Sequence, residues 1–327
     1  MALPTVLELI HARLADRSSR PGHRNDPYTL AVVAEDGSMR WVVAAGFLSR
    51  LEAHGIQADL ILGTSGGGLA ITYYAAGHTR HGSLSLRYLN KKGYDRDGKS
   101  KKFIDATRLL KGQPAMDGVG MVETVFSQRV PLSFENLARS LTPAYLTATT
   151  RAGETVLQPL HGQPPEAIKL AMQNTARVPF LAHSARDKSV LWDGGLKASI
   201  PVQQALDLGA THVLVVRCKD SIPATFRQQF NAEELLIKPA LRLQAPDLFH
   251  LLRQRGHHAA QTLSMLAQNH PHIHVLGLPQ VTMSYAEDDE AKLFRQLVEA
   301  WHFAGPALGL PEQPLPTEWA PEAAMYL

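Results

Sequence analysis

Leu60-Ile61-Leu62-Gly63-Thr64-Ser65-Gly66-Gly67-Gly68-Leu69-Ala70-Ile71 reads as strand, tight turn and helix in succession, with a serine at the apex. A serine hydroxyl is a poor nucleophile unless it is exposed at a sharp turn, beside a base and near donors for an oxyanion. Gly63 and Gly67 stand two residues either side of Ser65, where they let the backbone turn and a substrate approach. Short Gly/Ser motifs recur by chance; the strand before this one and the helix after it give it weight.

Outward from this turn the chain alternates. Tyr28 to Ala34 is an apolar run that reads as a buried strand, and Glu35-Asp36-Gly37-Ser38-Met39-Arg40 breaks it. Trp41 to His54 carries apolar residues at helical spacing and stops at Gly55, a C-terminal cap. Asp59 to Leu62 is the second strand. This order predicts an α/β fold with a mostly parallel central sheet sandwiched by helices. Further on, the pattern predicts a short helix over Ser133 to Ser140, strands either side of Arg151-Ala152-Gly153-Glu154, and a proline-started helix from Pro165 to Asn174. Val190-Leu191-Trp192 reads as a brief strand, Pro201 to Leu208 as a helix stopped at Gly209, and Val213 to Val216 as a core strand. Pro246 to Gln268 is expected as one or two helices, His272 to Leu276 as a strand and Asp288 to Phe303 as a final helix, with an extended tail beyond Gly305. No repeat or linker interrupts the 327 residues, so a single domain over 1–327 is expected, with a helical C-terminal extension from about 220.

Between about Arg80 and Lys111 the texture changes. Basic residues dominate, Lys91, Lys92, Lys101 and Lys102 among them, and hydrophobic periodicity is weak. This predicts a basic surface insertion at about 80–111, part loop and part helix, hung directly after the serine turn where a lid can sit. Over the whole chain 33 basic and 30 acidic residues nearly cancel, so no global polyelectrolyte partner is implied. The insertion has few interleaved aromatics, which argues against nucleic acid. Lysines near an anionic membrane contribute about 1 kcal/mol each at most, so several together can hold a site mouth at that surface. The start of the chain lacks the pattern of a secretory signal, and no run approaches the roughly 20 apolar residues of a membrane span. The expected location is cytoplasmic, with membrane contact limited to peripheral. The lone Cys218 reads as an inert buried thiol.

Asp193-Gly194-Gly195 is the expected partner of Ser65. The aspartate ends a strand, and the two glycines remove side chains that would crowd its carboxylate. A carboxylate in a dry pocket is a stronger base than in water, so it can take the serine proton without a histidine. A third element is the loop ahead of the first helix, at Gly37, Ser38, Met39 and Arg40. Backbone N–H groups of Gly37 and Ser38, helped by a helix N-terminus, are the expected oxyanion donors, and Arg40 braces the loop or adds positive charge.

The order of glycine loop, Gly-x-Ser-x-Gly and Asp-Gly-Gly resembles the patatin-like phospholipase family. Ala176-Arg177-Val178-Pro179-Phe180 looks like that family's segment upstream of the aspartate, and Thr147-Ala148-Thr149 with Gly153-Glu154 is similar to its central strand and turn. The resemblance covers roughly Tyr28 to Val216. It implies a three-layer α/β/α sandwich and a lipid acyl hydrolase, a phospholipase A-type serine esterase that needs no cofactor or metal. It implies Ser65 as nucleophile, Asp193 as base and the Gly37–Arg40 loop as oxyanion hole. One departure stands out: the family's glycine triplet is here Asp36-Gly37-Ser38. A left-handed Ser38 would cost about 1–2 kcal/mol relative to glycine. Asp36 would oppose a developing oxyanion unless it points away or pairs with Arg40. That departure keeps a binding or scaffold protein on a degraded hydrolase fold in view, and acyl transfer to an acceptor other than water uses the same elbow. A serine–acid–histidine triad through His212 or His183 is the remaining competitor.

Overall fold

The computed structural model describes residues 3–96, 99–111, 113–184, 190–220, 242–268 and 270–327. The elements run α1 (Val6–Ala15), β1 (Leu30–Ala34), α2 (Trp41–Ala53), β2 (Leu60–Gly63), α3 (Ser65–Ala75), α4 (Thr79–Gly82), β3 (Tyr94–Arg96) and β4 (Lys99–Lys101). There follow α5 (Gly118–Gly120), a π-helical stretch Met121–Arg129, α6 (Phe134–Ala138), β5 (Ala144–Thr149), β6 (Thr155–Pro159) and α7 (Pro165–Thr175). The chain continues with β7 (Trp192–Asp193), α8 (Val202–Asp207), β8 (His212–Val216), α9 (Pro246–Leu266), β9 (Ile273–Leu276), α10 (Glu290–Ala307) and α11 (Ala320–Tyr326).

The central sheet has the order β6-β5-β2-β1-β8-β9, with β7 also on β5. Pairs β5–β2, β2–β1, β1–β8 and β8–β9 are parallel, while β6 and β7 run antiparallel to β5. Side chains of a strand alternate between faces, and here both faces are buried. Leu30, Val32 and Ala34 point into the larger core with Leu214 and Val216, under α2, α3 and α10. Ala31 and Val33 point the other way with Val213 and Val215, under α8 and the end of α9. A sheet apolar on both sides must be covered on both, and the result is the α/β/α sandwich expected from the alternation. Gly46 lets α10 lie directly on α2: a Cβ there would stand 2.3 Å from the Leu297 carbonyl oxygen.

The register of β5 places the site. β2 pairs with its first half and ends with Gly63 opposite Leu146. β7 pairs with its second half, Asp193 opposite Ala148. β7 therefore occupies the line that β2 vacates when the chain turns into α3, and Asp193 stands just past that turn.

Three expectations change. The 80–111 segment is not merely surface: Leu84, Leu86, Leu89, Tyr94 and Phe103 are buried in the main core. It also contains an antiparallel hairpin, β3 with β4, whose tip at 97–98 lies outside the described residues. The tail is not wholly extended, because α10 runs on to Ala307 and the chain closes with a 3-10 turn at Thr317–Trp319 and α11. The start of the C-terminal extension, at 221–241, also lies outside the described residues. No described helix is long and apolar enough to cross a membrane.

Candidate active site

Ser65 opens α3 with φ +51°, so the left-handed strain of the turn falls on the serine itself. Its N–H donates to Thr175 Oγ1 at 2.9 Å, and Thr64 is tied to Thr147 and to the Ala198 carbonyl. The elbow glycines serve close approach rather than positive φ. A Cβ on Gly67 would stand 2.0 Å from the Glu35 carbonyl oxygen, and one on Gly66 2.4 Å from that of Ser38. Gly63 closes β2 against Gly68, and Gly194 lies on Thr147. With its backbone fixed this way, Ser65 donates through Oγ to Asp193 Oδ2 at 2.7 Å. Both residues are buried, 8 % and 5 % exposed.

Asp193 is held from several sides. Its N–H donates to the Arg177 carbonyl, its carbonyl accepts from Thr149, and Oδ1 accepts from the Gly195 N–H at 2.7 Å. Burial pushes the carboxyl up to about 6; the Ser65 and Gly195 hydrogen bonds and the Arg255 cation pull the other way, and the Asp36 anion adds to the rise.

The loop after β1 differs in detail from expectation. Ser38 takes φ +47°, the conformation a glycine would adopt freely. The Met39 N–H donates to the Tyr285 carbonyl at 3.1 Å and the Arg40 N–H to that of Gly37 at 3.0 Å, so neither amide is aimed at Ser65. Arg40 donates through Nε to the Met283 carbonyl and lies over the Tyr285 ring, a brace rather than a charge in the cleft. Of the four expected loop residues, Ser38 lines the same cavity as Ser65 and its backbone lies against Gly66, while Gly37 packs on Cys218. Asp36 does not pair with Arg40. Its carboxylate accepts from Ser199, Lys219 and Arg255. Burial alone would raise it, but Lys219 and Arg255 outweigh burial and hold it well below the usual carboxylate range. Behind it, Glu35 pairs with Arg217 at 3.0 Å. Burial, reinforced by Glu35, drives the Cys218 thiol up, so it stays protonated and inert.

Lys219 and Arg255 had no signal in the sequence: single cations, far along the chain, carry no pattern. The histidines do not complete a triad. His212 lies at the N-terminal end of β8, opposite the end where Ser65 sits, with Nε2 2.7 Å from the Pro4 carbonyl oxygen. His183 stacks at a tilt on Trp192.

A cavity adjoins Ser65, and apart from Ser38 and Ser65 its lining is apolar. Leu69 and Ala176 come from the predicted scaffold, but Leu89 and Phe103 come from the basic insertion and Met121 and Phe126 from the π-helical stretch. Of the basic residues singled out earlier, Lys92 pairs with Glu290 at 2.7 Å and Lys91 lies 3.5 Å from Asp289, so both are committed to α10.

A strand–serine–helix elbow with an aspartate in line beyond it, in a parallel sheet between helices, defines a class of hydrolase fold. The chain belongs to the patatin-like phospholipase family, whose model matches residues 37–206. It is 26 % identical over 222 residues to the uncharacterized protein YjjU of Escherichia coli (strain K12), a match spanning 66 % of this chain and 57 % of that one. Among solved structures it is similar to VipD from Legionella pneumophila, with a TM-score of 0.44 and 12 % identity over 86 % of this chain and 67 % of that one.

Proposed function

We propose that the chain is a serine esterase of the phospholipase A type, working as one hydrolase unit through a Ser65–Asp193 dyad. The observation that carries this reading is the 2.7 Å hydrogen bond from Ser65 Oγ to the Asp193 carboxylate at the wall of an apolar cavity. Asp193 takes the hydroxyl proton as Oγ bonds to the ester carbonyl carbon. The amides of Gly37 and Ser38 hold the oxyanion, with the α3 N-terminus behind them. The ester C–O bond then breaks, and the proton passes from Asp193 to the departing alcohol or lysolipid. Water attacks the acyl-enzyme, giving a proton to Asp193 that returns to Ser65 as the fatty acid leaves.

The features that favoured a degraded scaffold weigh less beside this geometry. Ser38 already holds the glycine-like backbone, and Asp36 is turned onto two cations. With Lys91 and Lys92 engaged, the membrane-facing role falls to Lys99, Lys101 and Lys102 on and after the hairpin. The experiment is hydrolysis of short and long acyl esters by wild type beside Ser65→Ala. Turnover that disappears with the hydroxyl supports the dyad; turnover that survives rejects it.

A further inference from the structure

Asp36 is an anion placed beside the very groups that must gather negative charge. A Cβ on Gly195 would stand 2.6 Å from Asp36 Oδ2 and 2.9 Å from Asp193 Oδ1, so the two carboxylates flank one glycine. Two carboxylates this close discourage each other's ionisation. Unanswered, Asp36 would keep Asp193 protonated, and a protonated carboxyl cannot accept the serine proton.

The answer arrives from a distant element. Arg255 lies on α9 and donates to Asp36 Oδ2, the oxygen that faces Asp193. Lys219, just after β8, donates to Oδ1 and also lies 3.3 Å from Glu35. Burial opposes charge on both cations, but the surrounding anions together outweigh it, Asp36 first, with Glu35 acting on Lys219 and Asp193 on Arg255, and both stay protonated. Among the described residues, Arg177 beyond α7 donates to Asn174 and the Leu191 carbonyl, and Lys197 lies 3.3 Å from His258.

We propose that Arg255 is a positioning residue for the dyad: it holds Asp36 in a neutral pair and thereby keeps Asp193 ionised and able to accept the Ser65 proton. This rests on the Ser65–Asp193 reading above. It gives α9, which lies outside the 37–206 family match, a part in setting up the dyad.

The test is fluorophosphonate labelling of the full chain across about pH 5 to 9, where the acid limb of the rate reports ionisation of the base. Wild type, Ser65→Ala, Arg255→Met, Arg255→Lys and Asp36→Asn are compared, with circular dichroism as a check on folding. Labelling is expected in wild type and absent in Ser65→Ala. Arg255→Met should move the acid limb up by about 1 pH unit or more and recover at high pH. Arg255→Lys should stay near wild type, and Asp36→Asn should move the limb down. A merely structural role for Arg255 would slow labelling equally at every pH, and that outcome would overturn the proposal. If Arg255→Met does not fold, Asp36→Asn decides: a limb that stays or rises rejects the idea. Absence of Ser65-dependent labelling in wild type would instead reject the dyad, and the role of Arg255 with it.

Discussion

Burial pushes the Asp193 carboxyl up to about 6, and the direction of that shift sets two outcomes at the residue scale. The folded pKa exceeds the unfolded value of 3.8, so the folded state binds more protons between about pH 4 and 6. Stability tied to this group is present below that window and is lost as pH rises through about 6. Keeping the proposed base ionised therefore costs up to about 3 kcal/mol at neutral pH. Asp193→Asn should remove that cost: urea unfolding at pH 7 should show equal or greater stability than wild type, with the difference shrinking toward pH 4. The same variant should lose about a thousandfold or more in kcat/KM, because it removes the proposed acceptor of the serine proton. A variant that loses stability at pH 7 as well as activity would mean that Asp193 serves the fold. Ser38 carries a separate prediction. Its φ of +47° costs about 1–2 kcal/mol relative to glycine, partly offset by glycine's greater freedom in the unfolded chain. Ser38→Gly should raise the unfolding free energy by up to about 1 kcal/mol and keep ester hydrolysis, since the expected contribution is an amide and not the hydroxyl.

At the scale of elements, the insertion and the stretch after it form the cavity wall. Met116 lines that cavity without being fully buried, so a larger side chain there can narrow the space without overpacking the core. Met116→Trp should cut kcat/KM for long-chain esters at least about tenfold and leave butyryl esters nearly unchanged. An equal loss on both would place the acyl chain elsewhere. The exposed side of the same segment is the proposed membrane face. Charge reversal at Lys99, Lys101 and Lys102 should reduce co-sedimentation with anionic vesicles, whereas reversal of Lys91 and Lys92 should chiefly disturb their pairs with Asp289 and Glu290. These elements also mark where the sequence could and could not be read. The elbow was legible because strand, glycine and helix signals fall within a dozen residues. The meeting of Ser65 with Asp193, 128 residues apart, depends on β7 taking the line left by β2, and register over that distance has no local signature. α1 did carry one: Thr5 and Glu8 form a capping box that pattern reading passed over. The insertion misled because Leu84, Leu86 and Leu89 lie in a short segment ahead of the lysines, and Tyr94 and Phe103 stand singly among or just after them.

For the whole molecule, the C-terminal region holds the insertion against the sandwich. Trp319 is fully buried, edge-on to Trp301 with ring centres 5.5 Å apart, and its Nε1 donates to the Arg80 carbonyl at the insertion's first residue. Glu322 on α11 pairs with Arg87, and the start of α10 receives Lys91 and Lys92. The wall of the proposed acyl cavity is thus anchored on residues more than two hundred positions away in the chain. Truncating a buried tryptophan costs about 3–5 kcal/mol, so Trp319→Ala should lower stability by that order in urea unfolding. A second effect follows from the anchoring. At temperatures where the variant remains folded by circular dichroism, Leu89 and Phe103 lose their tether before Ser65 and Asp193 do, because the proposed dyad stands on α3 and on β7, which pairs with β5 in the sheet. The ratio of long-chain to short-chain ester hydrolysis should fall several-fold while labelling of Ser65 persists. An unchanged ratio would show that the core contacts of the insertion hold the wall without the tail.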